Sequence, residues 1–238
     1  MRGASAGKAD QVVSSDEWVR APRQARSQAT LERFVDATRE LLGRQSFEDI
    51  TVAEIVKTAD RTVGSFYARF DDKYAVLHVL VDRLNQRISD VVDAFCDQVR
   101  WEGVPLSEFI AESVRLNVQA YRRSGPLYRA ALQASVTDER FRRRRMETMQ
   151  ECAEAQKRFI LSRSGEVGCD DPARASDMMF ELVAARLDHE LLFGRFTITH
   201  PESDLELIEE LVDQCCAVLA IIDPAAVHDD LPVGAASS

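Results

Sequence analysis

Ile50-Thr51-Val52-Ala53-Glu54-Ile55-Val56-Lys57-Thr58, Ala59-Asp60-Arg61 and Thr62-Val63-Gly64-Ser65-Phe66-Tyr67 follow one another without interruption in a chain of 238 residues. Thr51 and Glu54 stand in the register of a capping box, in which hydroxyl and carboxylate satisfy orphan amides at a helix start. That helix runs only to about Thr58. Ala59-Asp60-Arg61 reads as a tight turn, and Thr62 then caps a second short helix reaching Tyr67 or Arg69. Two short helices joined by a three-residue turn form a helix-turn-helix, whose second helix suits the major groove of DNA. Val52, Ile55, Val56 and Phe66 are expected to pack on the Phe34/Leu41 face of a preceding amphipathic helix. Gly64 and Ser65 are small enough to let a phosphate backbone come close.

Outward from this stretch, almost every segment shows apolar residues at helical spacing, and none shows the alternation of a strand. The reading is all-α, with about nine helices. The first runs from Ser27 to Gly43, followed by the two short ones. Asp71-Asp72-Lys73 opens a long helix with Leu77, Leu80, Val81, Leu84, Ile88, Val91, Phe95 and Val99 on one face. Further helices are expected over Leu106–Arg123, Pro126–Ser135 and Asp138–Ser162. Asp171-Pro172, an N-cap followed by proline at the first helical position, opens another to Phe193. Ser203-x-x-Glu206 is a second capping box, opening a last helix to about Ile222. Residues 1–22 and 224–238 read as a disordered arm and tail. The domain division expected is 23–73 for the helix-turn-helix and 74–223 for a larger helical body.

Charge alone does not suggest a nucleic-acid partner. The net charge is −10, yet residues 20–73 carry ten Arg/Lys against nine Asp/Glu, whereas residues 74–238 carry eighteen against twenty-eight. The acidity belongs to the second part, and a near-neutral first part still binds phosphates if its bases share a face. No run of 18 apolar residues suggests a membrane span, and the polar first 22 residues lack the apolar core of a signal peptide. A cytoplasmic protein is therefore expected. Five cysteines (Cys96, Cys152, Cys169, Cys215, Cys216) without a C-x-x-C pair read as buried or idle thiols. The histidines His78, His189, His200 and His228 form no zinc pattern, and neither metal nor cofactor is expected. No nucleophile elbow, phosphate loop or paired His/carboxylate appears; Asp188-His189-Glu190 is contiguous and faces different ways. An enzyme is not expected.

Residue-level reasoning leaves several helix-turn-helix families open. The succession of Ile50-Thr51-Val52-Ala53-Glu54-Ile55, Ala59, Thr62-Val63-Gly64-Ser65-Phe66-Tyr67, Phe70 and Lys73 resembles the DNA-binding domain of the TetR family of bacterial repressors, over roughly residues 26–77. The resemblance implies phosphate contacts from Thr51, Thr62, Tyr67, Arg69 and Lys73, with Val63, Gly64 and Ser65 where bases are approached. Two departures stand out. Asp60 replaces a frequent glycine; aspartate tolerates the left-handed conformation, but its charge is unwelcome beside phosphate. Val63 replaces a frequent polar residue and can touch a thymine methyl, but it cannot pair bidentately with guanine. Phe70 reads as the residue locking the second short helix to the long one.

The resemblance also implies a homodimer on double-stranded operator DNA and a small, largely apolar effector in the second domain. Candidate effector-lining residues are Phe109, Asn117, Tyr121, Met149, Cys152, Phe180 and His189. The candidate dimer interface comprises Leu187 and Leu191 with the stripe Leu205, Ile208, Val212, Cys215 and Leu219. Arg142-Arg143-Arg144-Arg145 reads as a solvated face balanced by Asp138, Glu139, Glu147 and Glu151. The competing readings are a helical protein-interaction module and an activator rather than a repressor.

Overall fold

The computed structural model describes residues 25–195 and 203–221, so the arm, the tail, His200, His228 and Ile222 lie outside the described residues. Among these residues there are eight α-helices and no named strand: α1 Ala25–Leu42, α2 Val52–Thr58, α3 Val63–Tyr67, α4 Lys73–Phe95, α5 Leu106–Thr137, α6 Glu139–Ser162, α7 Pro172–Phe193 and α8 Asp204–Leu219. The chain divides into two compact units, with the break between Arg83 and Leu84, partway along α4.

In the first unit, α1 to α3 and the first turns of α4 close around three phenylalanines. Phe34, Phe66 and Phe70 are wholly buried. Their ring centroids lie 5.4 Å (Phe34–Phe66), 6.1 Å (Phe34–Phe70) and 5.3 Å (Phe66–Phe70) apart. The first two pairs meet edge to face, a favourable arrangement of ring quadrupoles. Ile55 and Val56 fill the space beside them, as their spacing predicted, and Phe70 is the expected lock. Arg83 holds Glu32 through two hydrogen bonds of 2.6 and 2.7 Å, which keep the Glu32 carboxyl below its ordinary range.

Eight helices stand where nine were expected, because Leu106–Arg123 and Pro126–Ser135 are one element. Pro126 has no amide to donate and its ring crowds the carbonyl four residues back, so Ser124 departs from helical dihedrals (φ −111°, ψ 16°). The chain kinks there and resumes the helix. α4 ends earlier than its apolar stripe predicted. Asp97 caps one turn of 3-10 helix over Gln98–Trp101 by accepting from the Val99 amide, which leaves Val99 exposed. Trp101 folds back instead and donates its indole N–H to the Phe95 carbonyl at 2.6 Å.

The core of the second unit is built on Phe95, Trp101, Phe109 and Phe159, with Phe109 and Phe159 stacked at 4.0 Å. α8 contributes Leu207, Leu211, Cys215 and Leu219, each one turn after the last. Midway along α5, just before the kink, Arg122 donates to the buried Glu190 of α7 at 2.8 Å and to Asp204 of α8 at 2.8 and 3.0 Å. Arg195 reaches the same Asp204 at 3.3 Å. Residues on either side of 196–202 are thus held to one guanidinium. Among the described residues, no helix is long and apolar enough to cross a membrane, and no group of three His, Cys, Asp or Glu could hold a metal ion.

Candidate DNA-binding face and effector cavity

The geometry of the first unit comes from local hydrogen bonds. Thr51 accepts from the Glu54 amide at 3.2 Å and gives both its own amide and its hydroxyl to Glu54 Oε2, each at 2.8 Å. α2 then ends in a Schellman arrangement: the Asp60 amide donates to the Lys57 carbonyl and the Arg61 amide to the Val56 carbonyl. Asp60 occupies the left-handed position with φ 51°, so the turn survives without glycine, as expected. Thr62 Oγ1 accepts from the Ser65 amide at 3.2 Å and fixes the start of α3.

This arrangement leaves one face of α3 to solvent. Val63 and Tyr67 are each 48% exposed, and Thr62 and Gly64 are exposed beside them. Ser65 and Arg69 are half-buried, and Arg69 donates to the Ser65 carbonyl at 2.9 Å. No atom lies within 4 Å of where a Gly64 side chain would begin, so this point of the face is open to a close partner. Lys57 and Arg61 flank the same turn. The sequence reading passed over both, although their positions before and after the turn marked them.

Two residues expected on phosphates have their donors engaged within the chain. Lys73 points inward, donating to the carbonyls of Phe47, Glu48 and Ile50 at 3.0, 2.8 and 3.0 Å. An ammonium has three donors, and all are used. Thr51 likewise has both donors committed to Glu54. Each shapes the α1–α2 connection and α2 rather than offering a hydrogen to a phosphate.

The second unit contains a cavity of about 100 Å³. Of the seven residues expected around an effector, five line it: Asn117, Tyr121, Met149, Cys152 and Phe180. Phe109 does not, because it is stacked into the aromatic core. Neither does His189, whose ring lies 5.2 Å from the exposed Phe193. The sequence reading missed Asn85, Ile88 and Val92, the α4 side of the cavity, and Arg145. Arg145 leaves the solvated arginine run and turns inward to Asp188, which also accepts from the Tyr121 hydroxyl at 2.8 Å. Elsewhere the run is as expected, with Arg142 paired to Glu139 and Arg144 to Glu147.

Burial dominates the acid-base behaviour of this region. It raises Asp188 above its usual range against the pull of Arg145 and Tyr121, raises Tyr121, and pushes Tyr128 and Cys152 up to about 12. Tyr121 and Tyr128 stack at 4.6 Å on the cavity wall. All five cysteines are free, and Cys152 and Cys215 are buried.

The residues expected at the interface divide by burial in the single chain. Leu187, Leu191, Cys215 and Leu219 are buried within their own protomer. The 3-4 stripe read along α8 mixed its core side with its outer edge. Leu205 is 62% exposed, while Ile208 and Val212 are half-buried at that edge.

An all-helical chain with a helix-turn-helix in its first unit and a cavity in its second has the build of a bacterial DNA-binding regulator. Residues 34–80 match the family model of the bacterial regulatory proteins, tetR family, which makes this segment a TetR-family helix-turn-helix DNA-binding domain. The fold of the chain is that of TetR-family regulators. A structure assigned to that family from Mesorhizobium loti MAFF303099 superposes with TM-score 0.63 at 15% identity, covering 82% of this chain and 98% of the other. Salmonella enterica GusR gives 0.58 at 16% identity over 80% and 95%. Thermus thermophilus FadR, a TetR-family repressor in complex with lauroyl-CoA, gives 0.54 at 20% identity over 87% and 98%. No curated protein matches the chain.

Proposed function

We propose that this regulator is a homodimeric repressor that leaves its operator when a small, largely apolar molecule enters the cavity of the second unit. One observation carries the reading: α4 is a single helix with Lys73, the anchor of the 47–50 loop, at its start and Asn85, Ile88 and Val92 on the cavity wall. A ligand that fits better when α4 has shifted also moves that anchor. The operator and ligand then oppose each other by one coupling free energy, typically ~1–3 kcal/mol. Operator contacts fall to Thr62, Val63, Gly64, Ser65, Tyr67 and Arg69. That a protein of the same fold is a repressor found in complex with lauroyl-CoA supports repression and the binding of a small molecule.

Two copies are needed because successive major grooves present themselves ~34 Å apart on one side of DNA. The exposed Leu205, with Ile208, Val212 and the 77% exposed Phe193, supplies apolar surface for the second copy.

The test is fluorescence anisotropy of the full chain on its own upstream intergenic DNA at two salt concentrations, beside Tyr67→Ala. Binding should weaken with salt as phosphate contacts release counterions, and fall roughly 10-fold in the variant, the weight of one or two hydrogen bonds. Affinity no better than for random DNA there, and again in selection from a random operator library, would overturn the reading.

A further inference from the structure

The cavity wall holds a donor with nothing to donate to. Asn85 is 8% exposed, and its Nδ2 has no hydrogen-bond partner. A buried amide hydrogen left unpaired is costly and uncommon in folded proteins. The neighbouring amides differ. Gln156 donates to Ser113 Oγ at 2.8 Å, and Asn117 to the Ser113 carbonyl at 2.9 Å. Thr148 donates to the Arg144 carbonyl. Asn85 alone among these side chains has an amide nitrogen unused on a wall that is otherwise mainly aliphatic, aromatic and sulfur-bearing.

Charge narrows the ligand further. Arg145 is the one formally charged side chain lining the cavity, and Asp188 behind it already meets its guanidinium. The pair is net neutral, so an anionic ligand adds a negative charge beside Asp188, and a cation meets Arg145 with no carboxylate of its own. Either brings an uncompensated charge into a largely apolar space, which is expensive.

We propose that the cavity binds an uncharged molecule with a ring-sized apolar body and one hydrogen-bond acceptor, a carbonyl or ether oxygen, received by Asn85 Nδ2. An apolar cavity of about 150 Å³ in another protein accommodates benzene, so about 100 Å³ here admits a single substituted ring once an adaptable wall residue such as Met149 or Met179 yields. This ligand class rests on the effector-controlled reading above but concerns binding alone.

Four probes of nearly equal size separate the alternatives in calorimetry and thermal melting of the full chain: acetophenone, ethylbenzene, benzoate and benzylamine. Acetophenone should bind and raise Tm. Ethylbenzene, the same shape without the acceptor, should bind roughly 5- to 10-fold more weakly, the weight of one neutral hydrogen bond. Benzoate and benzylamine should not bind measurably. Asn85→Leu should erase the preference for acetophenone over ethylbenzene while melting higher than wild type, because it removes the unpaired amide.

Benzoate binding as tightly as acetophenone would show that the Arg145–Asp188 pair accommodates an anion, and would overturn the proposal. So would a ketone preference that survives Asn85→Leu, or no binding of any probe. The comparison among probes on the wild-type protein decides the matter even if the variant fails to fold. Acetophenone binding that leaves operator affinity unchanged would instead remove effector control and leave the ligand class standing.

Discussion

Asp60 shows how one residue can satisfy the backbone and still disfavour the partner. It holds the left-handed position that ends α2 (φ 51°), a conformation glycine adopts without strain. Its carboxylate sits in the turn immediately before the α3 face. Asp60→Gly should therefore raise stability by about 0.5–1 kcal/mol in urea denaturation, and should tighten operator binding most at low salt, where charge repulsion is least screened. Equal tightening at all salt concentrations would mean that the turn, not the charge, sets the effect. Asp60, Thr62 and Glu54 were legible in the sequence because capping and turn chemistry are local. Asn85 was not. An unpaired amide depends on what surrounds it in space, and no periodicity records that.

Among the elements, α4 illustrates the limits of pattern more than its strengths. Its start at Lys73 and its buried face from Leu77 to Leu84 follow the helical period. The end does not, since Asp97 caps a new turn and Trp101 replaces Val99 in the core. The role of Lys73 was also hidden, because its three carbonyl partners come from a loop more than twenty residues earlier. Lys73→Met keeps the aliphatic stem and removes the donors. It should destabilise the first unit by about 2–3 kcal/mol, as charged hydrogen bonds to carbonyls are lost. Its operator affinity should drop in proportion to the unfolded or loosened fraction, with the salt slope unchanged. A smaller slope at full stability would return Lys73 to the phosphates. The same contrast explains α5: Pro126 marks a break in sequence, but whether the chain turns away or merely kinks depends on tertiary packing, and here Val118 before the kink and Gly125, Leu127 and Ala130 after it are buried on one helix.

For the molecule as a whole, the sequence predicted an all-helical chain of this family's fold, and the comparisons bear this out. The second unit was harder to read in detail. Five of the seven candidates named by asking where polar or soft side chains interrupt an apolar face do line the cavity, but Phe109 satisfies a similar pattern and belongs to the core. Self-association remains a proposal at this scale, and it has a direct measurement. Leu205→Glu combined with Ile208→Glu should convert a dimer to a monomer in sedimentation at micromolar concentration, with helical content retained. Operator binding should weaken by far more than Tyr67→Ala weakens it, because two half-sites are then bound independently. A variant that stays dimeric would move the interface elsewhere on α7 or α8.

The Arg122 clamp has a practical use. Because Arg122 joins Glu190 to Asp204, and Arg195 donates to the same Asp204, the residues before and after 196–202 are held together independently of the connection between them. Lengthening a connection whose ends are already held costs little, about 0.6 kcal/mol per doubling. That makes 196–202 the place to splice in a fluorescent reporter at little cost to the fold.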